Sequence, residues 1–245
     1  MMIEDRTRTF IIAMERTVVP ENFSFRMTDE EYRVLEKIKN SIPVCYLADH
    51  ADFALGIVTG NNKKFLSAEK TEHSEMVLKG TDICKYHINP AKQYLRFEPE
   101  QFQQVAPLEI YRAPEKLLYR FISNQLVVAY DDRQMLSLNS CNIVIPKIEG
   151  MQIKYILAIL NSSVSQFVYQ KEFHSIKVLR AHMEHIPIPR VGKAIQNEII
   201  AMTEPLICGM GKEAAETCQK RLDCRIMDLF RLSAEEQWII RHALH

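Results

Sequence analysis

Glycine is the first shortage: the chain has 7 among 245 residues, where average usage would supply about 17. Folds built on repeated glycine-rich phosphate loops become poor candidates. A charge excess is missing as well, because 31 basic residues cancel 31 acidic ones. A polyanion would therefore have to be held by a local patch and not by the overall field. The six cysteines, Cys45, Cys84, Cys141, Cys208, Cys218 and Cys224, form no CxxC pair. Their spacing excludes a dense disulfide scaffold and fits free thiols in a reducing cytosol. No stretch approaches the ~18 apolar residues of a membrane span. Residues 1–10 carry Glu4, Asp5, Arg6 and Arg8 in place of the apolar core of a signal peptide.

Two catalytic signatures are absent too. A common metal-dependent nuclease needs a carboxylate followed two residues later by another and then lysine, so that metal and base converge on the phosphate. No Asp or Glu here has lysine at the second position after it. Methyl transfer to adenine needs an Asn/Asp-Pro-Pro-Tyr/Phe loop that accepts from the exocyclic amine and stacks on the flipped base. The chain has no Pro-Pro, and Asn89-Pro90-Ala91-Lys92 is a poor imitation.

What is present is the balance of an ordinary globular protein, 47% apolar and 25% charged. Residues 9–14 suggest a strand, and Thr28 with Glu31 forms a capping box that starts a helix running to about Asn40, where Pro43 blocks continuation. From residue 44 to 146 the pattern changes to short apolar runs between turn residues, strand-like at 53–58, 126–130 and 142–145. Helical spacing returns at 153–169, through Ile153, Ile156, Leu157, Leu160, Val164, Phe167 and Val168. Past Gly192 the chain reads as helical: one helix at 195–207, a turn at Gly209 and Gly211, a long helix through Phe230, and a last one capped by Ser233 and Glu236. The fold expected is α+β, a twisted and mostly antiparallel sheet with flanking helices, plus a C-terminal helical hairpin. Residues 1–190 form the mixed domain in this reading and 191–245 a helical appendage.

Several candidate sites have plain structural explanations. Gly209-Met210-Gly211-Lys212-Glu213-Ala214 matches a dinucleotide fingerprint, but a helix and not a strand precedes it, so it reads as a turn. His182 and His185, with His174 nearby, lack the further ligands of a zinc site. Asp131-Asp132 is the single Asp-Asp pair; with His174 it is the place for an unrecognised metal-dependent nuclease. A third alternative is a structural module whose last helices dimerise through Leu222, Ile226 and Leu229.

Two stretches have the composition of polyanion contacts. In residues 60–97 the bases Lys63, Lys64, Lys70, Lys79, Lys85, Lys92 and Arg96 outnumber the acids, with Tyr86, Tyr94, Asn61 and Asn62 interleaved. In residues 171–193 Lys171, Lys177, Arg180, Arg190 and Lys193 outnumber Glu172 and Glu184. Cations in loops grip phosphates, and Asn, Arg or Lys can also read base edges.

The order of short strings carries a resemblance. Gly56-Ile57-Val58-Thr59-Gly60-Asn61-Asn62-Lys63-Lys64-Phe65-Leu66 is followed by Leu78-Lys79-Gly80-Thr81-Asp82-Ile83 with Tyr86, then Arg120-Phe121-Ile122 and Leu138-Asn139-Ser140. Leu160-Asn161-Ser162-Ser163 and Ile186-Pro187-Ile188-Pro189 come next, and Asp228-Leu229-Phe230-Arg231-Leu232-Ser233 with Glu235-Glu236 closes the series. Together, over residues 40–245, they resemble the TaqI-like C-terminal specificity domain of adenine-N6 DNA methyltransferases and fused type II restriction-modification enzymes. Phe230-Arg231 departs from the family's usual Tyr-Gly.

The resemblance implies sequence-specific recognition of double-stranded DNA in a cytoplasmic restriction-modification system, with no catalytic site, metal or cofactor in this chain. S-adenosylmethionine, with Mg2+ as an option, would belong to an absent methyltransferase portion acting in cis or in trans. The DNA-contacting residues expected are Thr59, Asn61, Asn62, Lys63, Lys64, Lys79, Lys85, Tyr86, His174, Lys177, Arg180 and His182, with Lys177 and Arg180 on phosphates and Asn61, Asn62 and Lys63 at base edges.

Overall fold

The computed structural model describes residues 2–5, 8–11, 27–173 and 175–244, the first two stretches by their backbone. Strands β1 (Met2–Asp5) and β2 (Arg8–Ile11) form an antiparallel hairpin. The strand expected at 9–14 coincides with β2 as far as Ile11, and its remainder lies outside the described residues. Helix α1 (Asp29–Asn40) starts where the Thr28/Glu31 spacing puts it. The Glu31 N–H donates to the Thr28 hydroxyl and the Thr28 N–H donates to the Glu31 carboxylate, which satisfies two otherwise orphaned donors.

Residues 44–146 then supply β3 (Val44–Cys45), β4 (Ala51–Ala54), α2 (Asn62–Phe65), β5 (Leu66–Ser67), β6 (Glu75–Leu78), β7 (Tyr94–Leu95), α3 (Leu108–Tyr111), β8 (Lys116–Arg120), β9 (Val128–Asp131), β10 (Leu136–Ser137) and β11 (Cys141–Pro146). The order β4-β11-β8-β9 makes one antiparallel sheet, and β10-β6-β7-β5 a second in which β10 and β6 run parallel. The fold is α+β as expected, with its strands divided between two four-stranded sheets. Alternation explains the division, because successive strand residues point to opposite faces. In the first sheet Leu117, Tyr119, Val128, Tyr130 and Val144 enter one buried cluster. Their neighbours Leu118, Ala129, Cys141 and Ile143 enter another, with Val77, Leu78, Leu95 and Leu136 of the second sheet. A sheet apolar on both faces has to be covered on both.

The helices provide the other cover: α4 (Ile153–Asn161), α5 (Ser163–Phe173), α6 (Arg180–Glu184), α7 (Lys193–Cys208), α8 (Lys212–Leu229) and α9 (Ala234–Ala243), with β12 (Ile188–Pro189) returning between α6 and α7 to pair with β3. The single helix expected at 153–169 is broken at Ser162, where the backbone leaves the helical region with ψ 158°. Its hydroxyl donates to the Ile159 carbonyl at 2.7 Å, the local competition that makes serine a poor interior helix residue. Gly209, at φ +79°, makes the turn between α7 and α8. The Ser233/Glu236 box starts α9.

Leu206, Leu222, Ile226, Met227 and Ile240 share a single apolar cluster with α1, α4 and α5. Two of the three residues that dimerisation would require on a surface, Leu222 and Ile226, are therefore buried within the chain, and Leu229 is half-buried. Among the described residues no strand lies beyond the outer edge of β9. Instead the Asn161 side chain accepts from Val128 N–H and donates to its carbonyl (3.1 and 2.8 Å), and Gln166 does the same for Leu126 (2.9 and 3.0 Å). Among the described residues no helix is long and apolar enough to cross a membrane, and all six cysteines are free thiols.

Candidate nucleic-acid interface

The three expected contact segments have different fates. In the first, the Thr59 hydroxyl donates to Asn62 Oδ1 at 2.6 Å and the Asn61 side chain accepts from Lys64 N–H at 3.2 Å, so both residues build the N-terminus of α2. Thr59 is buried, whereas Asn61, Asn62, Lys63 and Lys64 are exposed. The Lys64 ammonium reaches Gln101 Oε1 at 3.0 Å and lies over the Phe65 ring.

The second segment is mostly turned inward. Lys79 is half-buried and its N–H donates to the Asp82 carboxylate. The Lys85 ammonium donates to the Asn161 carbonyl at the end of α4 (3.3 Å). Burial pulls it below the usual lysine range, while the nearby Asp223 carboxylate pushes it back up. Tyr86 is 1% exposed, at φ +75°; its N–H donates to the Val128 carbonyl and its own carbonyl accepts from Tyr130 N–H. Lys85 and Tyr86 are thus corrections: their polar groups tie the loop to α4 and β9, which leaves Tyr86 no surface to offer a duplex.

In the third segment His174 lies outside the described residues. Lys177 and Arg180 are exposed. Residues 175–178 run antiparallel to 121–123, with Val178 N–H donating to the Phe121 carbonyl (2.8 Å), Ser123 N–H to the Ile176 carbonyl (3.0 Å), and Ile122 opposite Lys177. Arg180 lies over the Phe53 ring at 5.2 Å and pairs with Glu184 at 2.7 Å. Together with β4, Leu55, residues 104–107 and Ile110 it lines an open cleft of about 630 Å³. Gln104 in turn bonds Val58 through both backbone groups, so the base of the 59–64 loop and Arg180 flank the same cleft.

His182 is the third buried candidate after Thr59 and Tyr86, 8% exposed and stacked on Phe173 at 4.4 Å. Its Nδ1 accepts from Leu179 N–H at 3.2 Å and closes the first turn of α6. Burial first, and His185 second, pull the imidazole below its ordinary 6.5. The unfolded chain then binds a proton that the folded chain refuses, so stability present above pH 6.5 is lost as pH falls through 6.5 towards the lowered value. His182→Asn keeps an acceptor for Leu179 and is expected to flatten the fall in melting temperature between pH 7 and 5.5. A profile that superimposes on that of the unchanged chain would contradict this role.

Four of the quoted strings, those at 56–66, 78–83, 120–122 and 138–140, meet at one interior node. Gly56 packs against the backbone of Leu138, and Gly80 against that of Ser140. The Arg120 guanidinium donates to the Gly80 carbonyl at 2.9 Å and the Ile83 carbonyl at 2.5 Å. Leu138 N–H donates to the Leu78 carbonyl, Asn139 N–H to that of Ile57, and Phe121 N–H to that of Ser140. These residues hold the frame from which the loops project. Asp131 is likewise structural, fully buried in an ion pair with Lys116 at 2.6 Å. Asn89 donates its amide to Cys84 Sγ and its N–H to the Asp82 carbonyl, an arrangement unlike an amine-accepting loop. Ile122 and Ile176, exposed beside Lys177, escaped the reading because nothing in their local pattern marks apolar residues there as exposed.

Residues 75–188, from β6 to β12, match the model of the TaqI-like C-terminal specificity domain. Over that span the chain is similar to a TaqI-like specificity domain. The first of the strings, residues 56–66, and the last, residues 228–236, lie outside the matched span. Among solved structures the chain is similar to the type IIL restriction-modification enzyme MmeI, in a structure with DNA, at a TM-score of 0.52 and 11% identity over 84% of this chain and 37% of that one. It is also similar to the HsdS subunit from Thermoanaerobacter tengcongensis (TM-score 0.43, 14% identity, 88% and 50%) and to a chain of a type I restriction-modification system (0.46, 13%, 89% and 52%). The chain thus spans about a third to a half of the length of these longer chains. No curated protein matches the chain.

Proposed function

We propose that this chain recognises duplex DNA as the target-recognition part of a restriction-modification adenine-N6 methyltransferase, and that methyl transfer is carried out by a separate portion acting in cis or in trans. The observation that carries the reading is the match of residues 75–188 to a specificity domain. The exposed cations Lys63, Lys64, Lys177 and Arg180 supply it with a means of holding phosphates. S-adenosylmethionine and any Mg2+ would be held by the other portion. Six free thiols suit action in the cytosol.

Phosphate neutralisation makes binding fall linearly with the logarithm of salt, at about −0.9 per contact. If Lys63, Lys64, Lys79, Lys177 and Arg180 each take one phosphate, affinity for a duplex drops several hundredfold between about 0.05 and 0.2 M salt. Lys177→Ala with Arg180→Ala is expected to reduce the slope by about 1.8 and to weaken all sequences alike. Fluorescence anisotropy across a salt series measures both. Undetectable or salt-insensitive binding by the folded chain would sink the proposal.

A further inference from the structure

The surface around Lys177 contains an anomaly. Ile176 is 71% exposed, Ile122 53% and Leu179 43%. Single exposed apolar residues are ordinary, but Ile122 and Ile176 belong to one ribbon formed by residues 121–123 and 175–178, and Leu179 follows it at the start of α6. Alternation along such a pair sends Ile122 to one face and Ile176 to the other, so the ribbon is apolar on both sides. Asn124 and Gln125 are exposed beside it, and Lys177 and Arg180 provide its charge. Residues 121–127 and 175–181 contain no carboxylate. The nearest acids along the chain, Glu172 and Glu184, are engaged by Lys39 and Arg180.

An apolar ribbon that carries Lys177, contains no carboxylate of its own and is followed by Arg180 paired with Glu184 is complementary to one occupant in particular, a polyanion whose interior is a stack of flat apolar rings. We propose that Ile122 and Ile176 act as a wedge that enters the base stack of the bound duplex, while Lys177 and Arg180 hold the adjacent phosphates. The inference rests on the DNA-binding reading above and adds to it a mechanical role, opening a base step so that a base can leave the helix. Side chains inserted in this way unstack a step and kink the duplex. The opening costs least where a base is already missing or mispaired.

The test compares the affinity of the full chain for an intact duplex and for the same duplex with one abasic site. The unchanged chain is expected to bind the abasic duplex about tenfold more tightly. In the Ile122→Ala/Ile176→Ala variant the ratio should fall to about one, whereas Ile122→Leu/Ile176→Leu keeps it, and Lys177→Ala weakens both duplexes equally. The isoleucines are exposed, and an unaltered thermal melt verifies that each variant is folded. Binding without an abasic preference, or a preference that survives the alanine pair, overturns the wedge and leaves the DNA reading standing. No binding to either duplex by the unchanged chain overturns both.

Discussion

Lys116→Ala is expected to destabilise the fold by about 3–5 kcal/mol, the range for removing one partner of a buried ion pair. Both members are fully buried, at 0% exposure, with Nζ to Oδ2 at 2.6 Å. The ammonium also donates to the Tyr111 carbonyl at 2.6 Å, and the carboxylate accepts from the N–H groups of Arg133 and Met135, each at 2.9 Å. Burial draws the Lys116 ammonium below its usual range and Asp131 restores part of the difference. Without the lysine the carboxylate keeps two N–H donors but loses its countercharge. Asp131→Ala should cost at least as much, since it leaves a cation and two N–H groups short of partners. The double variant should lose far less than the sum of the singles, because the second removal takes away the group stranded by the first. Equilibrium urea unfolding of the three variants reads this directly; additive losses would contradict it.

The second large effect is expected at Gly56. A Cβ there would stand 2.1 Å from the Leu138 carbonyl oxygen and 2.7 Å from that of Cys141. Both obstacles are backbone, so no side chain can swing aside. Gly56→Ala should cost about 3 kcal/mol, at the upper end of ordinary overpacking, and Gly80→Ala a similar amount against Ser140 O at 2.4 Å. Gly211, with nothing within 4 Å of its would-be Cβ, should lose under about 1 kcal/mol on the same substitution. Urea midpoints compare the three; equal losses at Gly56 and Gly211 would show that close approach is not what selects glycine at position 56.

Much of the scaffold was legible in the sequence for reasons of local chemistry. Thr28/Glu31 and Ser233/Glu236 mark helix starts because a capping box is satisfied within four residues. The helical spacing at 153–169 was correct in register, and its break at Ser162 was missed because a serine can either continue a helix or compete with it. Two sheets could not be separated from one, since the partner of a strand is not written in its own pattern. The candidate interface was legible only by composition. A basic residue in a loop looks the same whether, like Lys177, it faces solvent or, like Lys85, it bonds the Asn161 carbonyl at the end of α4. His182 and Tyr86 were misread for the same reason: a polar group in a turn-rich segment can be spent on the backbone of its own fold.

The side-chain amides of Asn161 and Gln166 along β9, joined by the backbone of Tyr86, have a consequence for solubility. They occupy the hydrogen-bonding positions that an unprotected outermost strand would offer to a second polypeptide. A copy of the molecule arriving there finds no vacant ladder to extend, so the seeding step of fibril growth is blocked at this margin by two residues that contribute no strand of their own.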